Sequence, residues 1–222
     1  MGRLLGQLAA RSKKQMIINP ADASPRDIYK LMIGMVVPRP IAWVSTVSEE
    51  GYNNLAPYSF FNAISGDPPV ICFAPARKPA GDKKKDTFRN LEASGVFVVN
   101  IVSEHLAEAM NQSAADVPPE VDEFALAGVT PEPATMIQAP MVKEALAKME
   151  CRVRQIIHLG DQPTSGILVL GDVLCFHFVE GLVENFRVDP AMLNAVGRMG
   201  GSTYCDTRNR FEIARPGGNA KL

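Results

Sequence analysis

The stretch RPIAWVSTVSEEGYNNLAPYSFFNAISGDPPVICF, Arg39 to Phe73, decides the fold. Its first part, PIAWVSTVS (Pro40 to Ser48), is compact and β-branched, and EEG (Glu49 to Gly51) supplies a turn before the next extended run. That run closes on GDPP (Gly66 to Pro69), which opens a third, VICFAP (Val70 to Pro75). Short strands joined by tight turns pair antiparallel, because a parallel pair needs a long crossover. Yet polar residues stand where a plain core sheet carries valine and isoleucine: Ser45 and Thr46 on the first run, Tyr58, Ser59 and Asn62 on the second. Pro57 has no N–H to give to a ladder, so the second run is expected at an edge or bulge with neighbouring main-chain groups open to a ligand. Trp43 either fills the core or walls such a pocket.

Further along, DTFRNLEASG (Asp86 to Gly95) begins with a capping residue, spaces Phe88 and Leu91 by three and ends in glycine, which predicts a short helix. VFVVNIV (Val96 to Val102) is a strand, and SEHLAEAMNQSA (Ser103 to Ala114) is a helix behind a serine cap, with Leu106 and Met110 on one face. Residues Ala115 to Pro140, with Pro118, Pro119, Pro131 and Pro133, are expected to form an ordered excursion or lid rather than a second core. ALAKMECRVRQIIH (Ala145 to His158) has period two, with Ala147, Met149, Cys151 and Val153 inward and Lys148, Glu150, Arg152 and Arg154 outward. SGILVLGDVLCFHFVEG (Ser165 to Gly181) is a longer strand in which Gly171 predicts a bulge or bend. Six or seven strands with few helices give a mainly β protein, a closed or split antiparallel barrel.

The 222 residues, 46% apolar, suffice for one substantial core, and a net charge of −1 leaves no footprint for nucleic acid or an anionic membrane. Apolar runs such as VFVV and ILVL fall far short of the ~18 residues that span a bilayer. Cys72, Cys151, Cys175 and Cys205 lie far apart with no C-x-x-C, as expected of reduced thiols in a cytoplasmic protein. Residues 1–15, basic and without acidic residues, are expected to be a flexible extension ahead of a single domain over 16–222.

Dinucleotide, phosphate-loop, zincin and hydrolase-elbow motifs are all missing. Cys175 and His177 share a strand face and suit two metal ligands, with His158 or Cys151 as a third, but no second close pair completes a tetrahedron and no metal is expected. His105, on a helix, is expected to be solvated or capping. DKKKDTFRN (Asp82 to Asn90) brings a cationic loop into a helix N-terminus, where unpaired N–H groups and the helix dipole suit a terminal phosphate. Lys85 would give charge, Thr87 a hydroxyl, and Asp86 either a cap or a ribityl contact; a solvated loop with an ordinary cap fits the segment equally well.

Taken together, VVPRPIAWVST, GYNNLAPYSFFNAISGDPPVICF, KKDTFRNLEASGVFVVNIV, DEFALAGVTP, MECRVRQIIHLGD and GDVLCFHF resemble the flavin reductase-like family over roughly residues 25 to 205. The resemblance implies a six-stranded Greek-key split barrel with a few peripheral helices, a homodimer, and FMN held noncovalently near the subunit interface. Residue by residue, it nominates Val44, Ser45 and Thr46, then Ala56, Pro57, Tyr58 and Ser59, with Asn62 nearby, around the ring, and Lys85, Asp86 and Thr87 at the phosphate. It implies an oxidoreductase that takes electrons from NAD(P)H and passes them to free flavin, an oxygenase partner or another acceptor. The alternatives are a noncatalytic electron-transfer protein of flavoredoxin type and a metal-dependent hydrolase using Cys175, His177 and His158. No side chain is assigned as acid or base, since the hydride chemistry belongs to the cofactor.

Overall fold

The structure, a computed structural model, describes residues 15–77, 84–214 and 216. Residues 1–14 of the extension read over 1–15, and the part of the cationic loop before Lys84, therefore lie outside the described residues. Seven strands, one more than the six implied, form the main sheet: β1 (Ala42–Val47), β2 (Asn53–Tyr58), β3 (Phe61–Gly66), β4 (Pro69–Phe73), β5 (Val96–Ile101), β6 (Ala147–His158) and β7 (Ile167–Phe178). Their order is β2-β1-β5-β6-β7-β4-β3, antiparallel throughout.

The extra strand comes from NLAPYSFFNAIS, which reads as one run and is two. Ser59 and Phe60 alone separate β2 from β3, yet the two strands lie at opposite edges of the sheet. A link of two residues spans only about 7–10 Å, so the sheet has to curl until its edges meet at this link. No ladder joins β2 to β3, and the barrel is split there. Pro57 stands on β2, the edge strand its missing N–H predicts.

Alternation sends Val44, Tyr58, Phe73, Phe97, Val99 and Cys151 into the barrel interior, where Leu91 of α2 (Asp86–Ser94) joins them from one end. The ladder between β6 and β7 breaks register beside Gly171, where a bulge is expected, but the extra residue is Arg154 of β6. The glycine itself is required sterically: a Cβ added at Gly171 would lie 2.5 Å from Cζ of the buried Phe97 ring. Gly171→Ala is expected to cost about 1–3 kcal/mol through overpacking, read as a lower denaturation midpoint; Phe97→Leu in the same chain should restore part of it, and two additive losses would show that the ring is not the obstacle.

The outer face differs from expectation. Phe124 and Val129, in the excursion, pack with Ile41, Trp43, Leu55 and Met110 into a second apolar cluster, so residues 115–140 build a core on the barrel's outside rather than a lid. Period two in β6 is correct, but its polar face is covered: Lys148 and Glu150 are buried, not solvated. Lys148 Nζ lies 2.6 Å from Glu132 Oε1, and Glu150 accepts from Thr135 N and Met136 N at 2.7 Å each.

Helix α1 (Pro25–Met35) precedes the barrel; Ser24 caps it, accepting from Asp27 N at 3.2 Å, and its residues all keep some exposure. The helix read from Ser103 is a 3₁₀ turn (Glu104–Leu106) followed by α3 (Ala107–Gln112), and Ser103 makes no side-chain cap bond. Glu123–Ala127 forms α4, capped by Asp122. Among the described residues no helix is long and apolar enough to cross a membrane, and all four cysteines are free thiols.

Candidate functional site

The nominated side chains fall into three groups. Val44 belongs to the barrel core. Ser45 points the other way, donating to Pro140 O at 2.5 Å and accepting from Asn100 Nδ2 at 3.1 Å, while Asn100 Oδ1 takes Val142 N at 2.8 Å. Thr46 turns back to the barrel end and accepts from Asn90 Nδ2 at 3.0 Å. Both hydroxyls are fully buried and held by protein partners, as buried polar groups must be. They tie the excursion and α2 to the sheet.

The second group gathers at the N-terminus of α2. Thr87, 1% exposed, accepts from Asn54 Nδ2 at 2.8 Å and from the Tyr58 hydroxyl at 2.9 Å. Burial pushes the Tyr58 phenol above its ordinary range, so it stays protonated and donates. A hydroxyl that accepts two bonds keeps its own proton to give. Lys85 is the N-cap, extended at φ −65° and ψ 147° with no side-chain cap bond, and its ammonium lies 5.5 Å from the Tyr58 ring centre. Asp86 does not cap; it is the first helical residue and pairs with Arg89. The helix thus opens on a lysine rather than on a capping acceptor, the arrangement that suits an incoming anion.

Beside it runs the free edge of β2. Leu55 N points away from β1 and donates to Glu123 Oε2 at 3.2 Å. Pro57, two residues on, faces the same side, where its lack of N–H leaves no donor stranded. Burial raises the Glu123 carboxyl to about 7, against the pull of the Leu55 amide and helped by Asp86 and Asp122.

The third group lines a groove of about 300 Å³ where Ser59 and Asn62 meet Met32, Val36 and Phe60. Its floor is Arg39, a residue the sequence reading passed over: 5% exposed, it donates to Ile33 O, Val36 O and Met199 O at 2.7–2.9 Å and to Ser59 Oγ at 3.3 Å. An arginine buried among carbonyls knots the end of α1 to the C-terminal segment. A larger cleft of about 470 Å³ lies by the β1–β2 turn, but Glu49, Glu50 and Glu120 line it and none of the nominated residues does. Its charge is wrong for a phosphate.

The other sequence candidates scatter. His158 lies at the far end of β6, 3.1 Å from an Arg77 nitrogen and edge-on to Phe88, and Cys151 is in the barrel core, so neither joins Cys175 and His177. His105 is exposed, as expected of a solvated residue.

Residues 34–203 match the model of the flavin reductase like domain. The chain is 37% identical to an uncharacterised protein of Halalkalibacterium halodurans over 90% of its own length and 97% of the relative's. A second relative, from Deinococcus radiodurans, is 42% identical, with 84% of each chain covered. Among solved structures, nitrilotriacetate monooxygenase component B from Bacillus cereus superposes with a TM-score of 0.86 at 38% identity, covering 91% of this chain and 100% of that one. The 2-nitrobenzoate 2-nitroreductase of Pseudomonas fluorescens gives 0.82 at 32% identity over 91% and 97%. Flavoredoxin of Desulfovibrio vulgaris, at 18% identity, 0.70 and coverage of 89% and 97%, shares the fold. The matched domain spans the whole split barrel and the α2 N-terminus beside it, and the chain belongs to the flavin reductase-like family.

Proposed function

We propose that this protein holds FMN noncovalently and reduces it with NAD(P)H, passing electrons to free flavin, an oxygenase partner or another acceptor. The observation that carries the reading is the end of α2: a buried Thr87 hydroxyl with a proton to give, a lysine in place of a capping acceptor, and the open β2 edge alongside. Lys85 and Thr87 at the helix N-terminus would hold the phosphate, and the edge from Ala56 to Ser59, with Asn62, would hold the ring. Val44, Ser45 and Thr46 form the strand behind that edge and fix its position. Bound flavin supplies hydride chemistry that none of these side chains provides. The chain's own task is to orient the ring, exclude water from one face and leave the other open. The Bacillus cereus neighbour is a component of a monooxygenase, which supports an oxygenase as one acceptor.

Two chains form the working unit in this proposal. Tyr29, Met32 and Met35 on α1 are exposed, as is Ile64 on edge strand β3, and Tyr29 already meets Phe60 at the split. Light scattering should give twice the chain mass, and a single-chain mass would sink the dimer.

Anaerobic addition of NADH or NADPH to the FMN-saturated protein should bleach the flavin at a catalytic rate. Tight binding without bleaching would instead indicate an electron carrier. Lys85→Ala is expected to weaken FMN by ~10–100-fold, the value of one charge-assisted contact, and to leave riboflavin nearly unchanged. Equal losses for both ligands would remove Lys85 from the phosphate.

A further inference from the structure

Away from the flavin end, β7 carries a second register shift, between Val173 and Cys175. Val173 pairs with Cys151 and Cys175 with Glu150, so Leu174 is an extra residue that reverses the alternation. Were Leu174 paired with Glu150 in a regular ladder, Cys175 and His177 would follow Val173 into the barrel; with Leu174 left unpaired they join Glu150 on the outer face, beside residues 134–137 of the excursion. There the Cys175 Sγ, His177 ring nitrogen and Glu150 carboxylate oxygen all lie within 4.8 Å of one another.

We propose that Glu150, Cys175 and His177 form a binding site for a divalent transition metal of the zinc class, distinct from the flavin site. The donor set is one thiolate, one imidazole and one carboxylate, which suits zinc and cobalt rather than magnesium or calcium. Two negative ligands neutralise the ion. Glu150 is fully buried, and the Thr135 and Met136 amides at 2.7 Å fix its carboxylate, the outer-sphere support that metal-binding carboxylates require. The imidazole Nε2 lies 2.6 Å from Glu150 Oε1. Donors on a shared tetrahedral zinc stand about 3.3–3.6 Å apart, so the ion takes the place of a proton after the imidazole withdraws by less than the width of an atom. Cys175 and His177 are both partly exposed and can make that movement. Binding expels the thiol proton and any proton on the imidazole–carboxylate pair. The neighbouring cation, Lys148, sits opposite His177 in register but is neutralised by Glu132 at 2.6 Å. Three protein ligands leave a fourth position toward solvent. Because the Glu150 partners belong to the excursion, occupancy would fasten that segment to the barrel.

Equilibrium dialysis of the full chain, carrying its flavin, against zinc should give one bound ion per chain and a melting temperature that climbs with zinc. Cys175→Ser and His177→Gln should each weaken binding by more than about 10-fold, the lower range for losing an outer-sphere partner alone, with FMN affinity unchanged. Cobalt in place of zinc should show a thiolate-to-metal charge-transfer band that Cys175→Ser abolishes. Substoichiometric zinc, affinity indifferent to either substitution, or bound cobalt without the thiolate band would overturn the site. Loss of binding in His105→Gln or His158→Gln with retention in both site variants would do the same by placing the ion elsewhere.

Discussion

Trp43→Ala should lower the free energy of unfolding by about 3–5 kcal/mol, the range for emptying a large aromatic site in a packed core. Trp43 is fully buried on the outer face of β1, among Leu55, Phe124, Val129 and Met110, so its removal leaves a void between the barrel and the excursion at once. Its indole N–H also donates to Ser113 Oγ at 2.8 Å. Ser113→Ala keeps the ring and strands that donor, and should cost about 1–3 kcal/mol. Trp43→Phe should fall between the two. Trp43 is the chain's single tryptophan, so circular dichroism must follow unfolding in the Trp43 variants. A loss below about 1 kcal/mol for Trp43→Ala would mean that the outer cluster collapses freely around the gap, and that the excursion is held by its polar ties alone.

Glu123→Gln should change how stability depends on pH. In the unfolded chain this carboxyl titrates near its ordinary 4.5, whereas in the fold burial raises it to about 7. Between those values the folded state holds a proton that the unfolded state has lost, so stability falls as pH rises through the window. The contribution is complete below about pH 4.5 and gone above about 7, a difference on the order of 3 kcal/mol. Glutamine keeps an oxygen for the Leu55 amide and has nothing to ionise. Urea midpoints from pH 4.5 to 8 should therefore decline in the parent and flatten in the variant, leaving the variant more stable at pH 8. Parallel curves would show that Glu123 is already ionised at pH 5.

The barrel was legible because period two survives in the chain: Met149, Cys151 and Val153 point inward as written, and Gly171 marks its irregularity. What escaped depends on partners distant in sequence. Glu150 and Lys148 look like a solvated face until residues 131–136 are laid over them. NLAPYSFFNAIS conceals its break because Ser59 and Phe60 carry no strong turn signal. Helix α1 went unread although Ser24, Pro25 and Asp27 carry its signal, a cap, a proline at the first helical position and an early acid. Ser45 and Thr46 were legible as buried polar residues, but a hydroxyl in a strand does not say whether its partner is protein or ligand. Arg39 left no sequence signal, since carbonyl acceptors leave none.

The bulge at Leu174 ranks positions on β7 by register rather than by kind. Exchanging Leu174 for another side chain preserves the pairing of Cys175 with Glu150, and so does deleting it, because Val173 and Cys175 then continue one regular ladder. Only if Leu174 itself took the place opposite Glu150 would the next four positions turn over. The stacked rings of Phe176 and Phe178 would then leave the barrel side, and a thiol and an imidazole would face its apolar mouth. The unpaired residue is thus a spacer that the strand can lose but cannot absorb: homologous chains can drift in composition there, or shorten by one, and still display the same chemistry on each side of the wall.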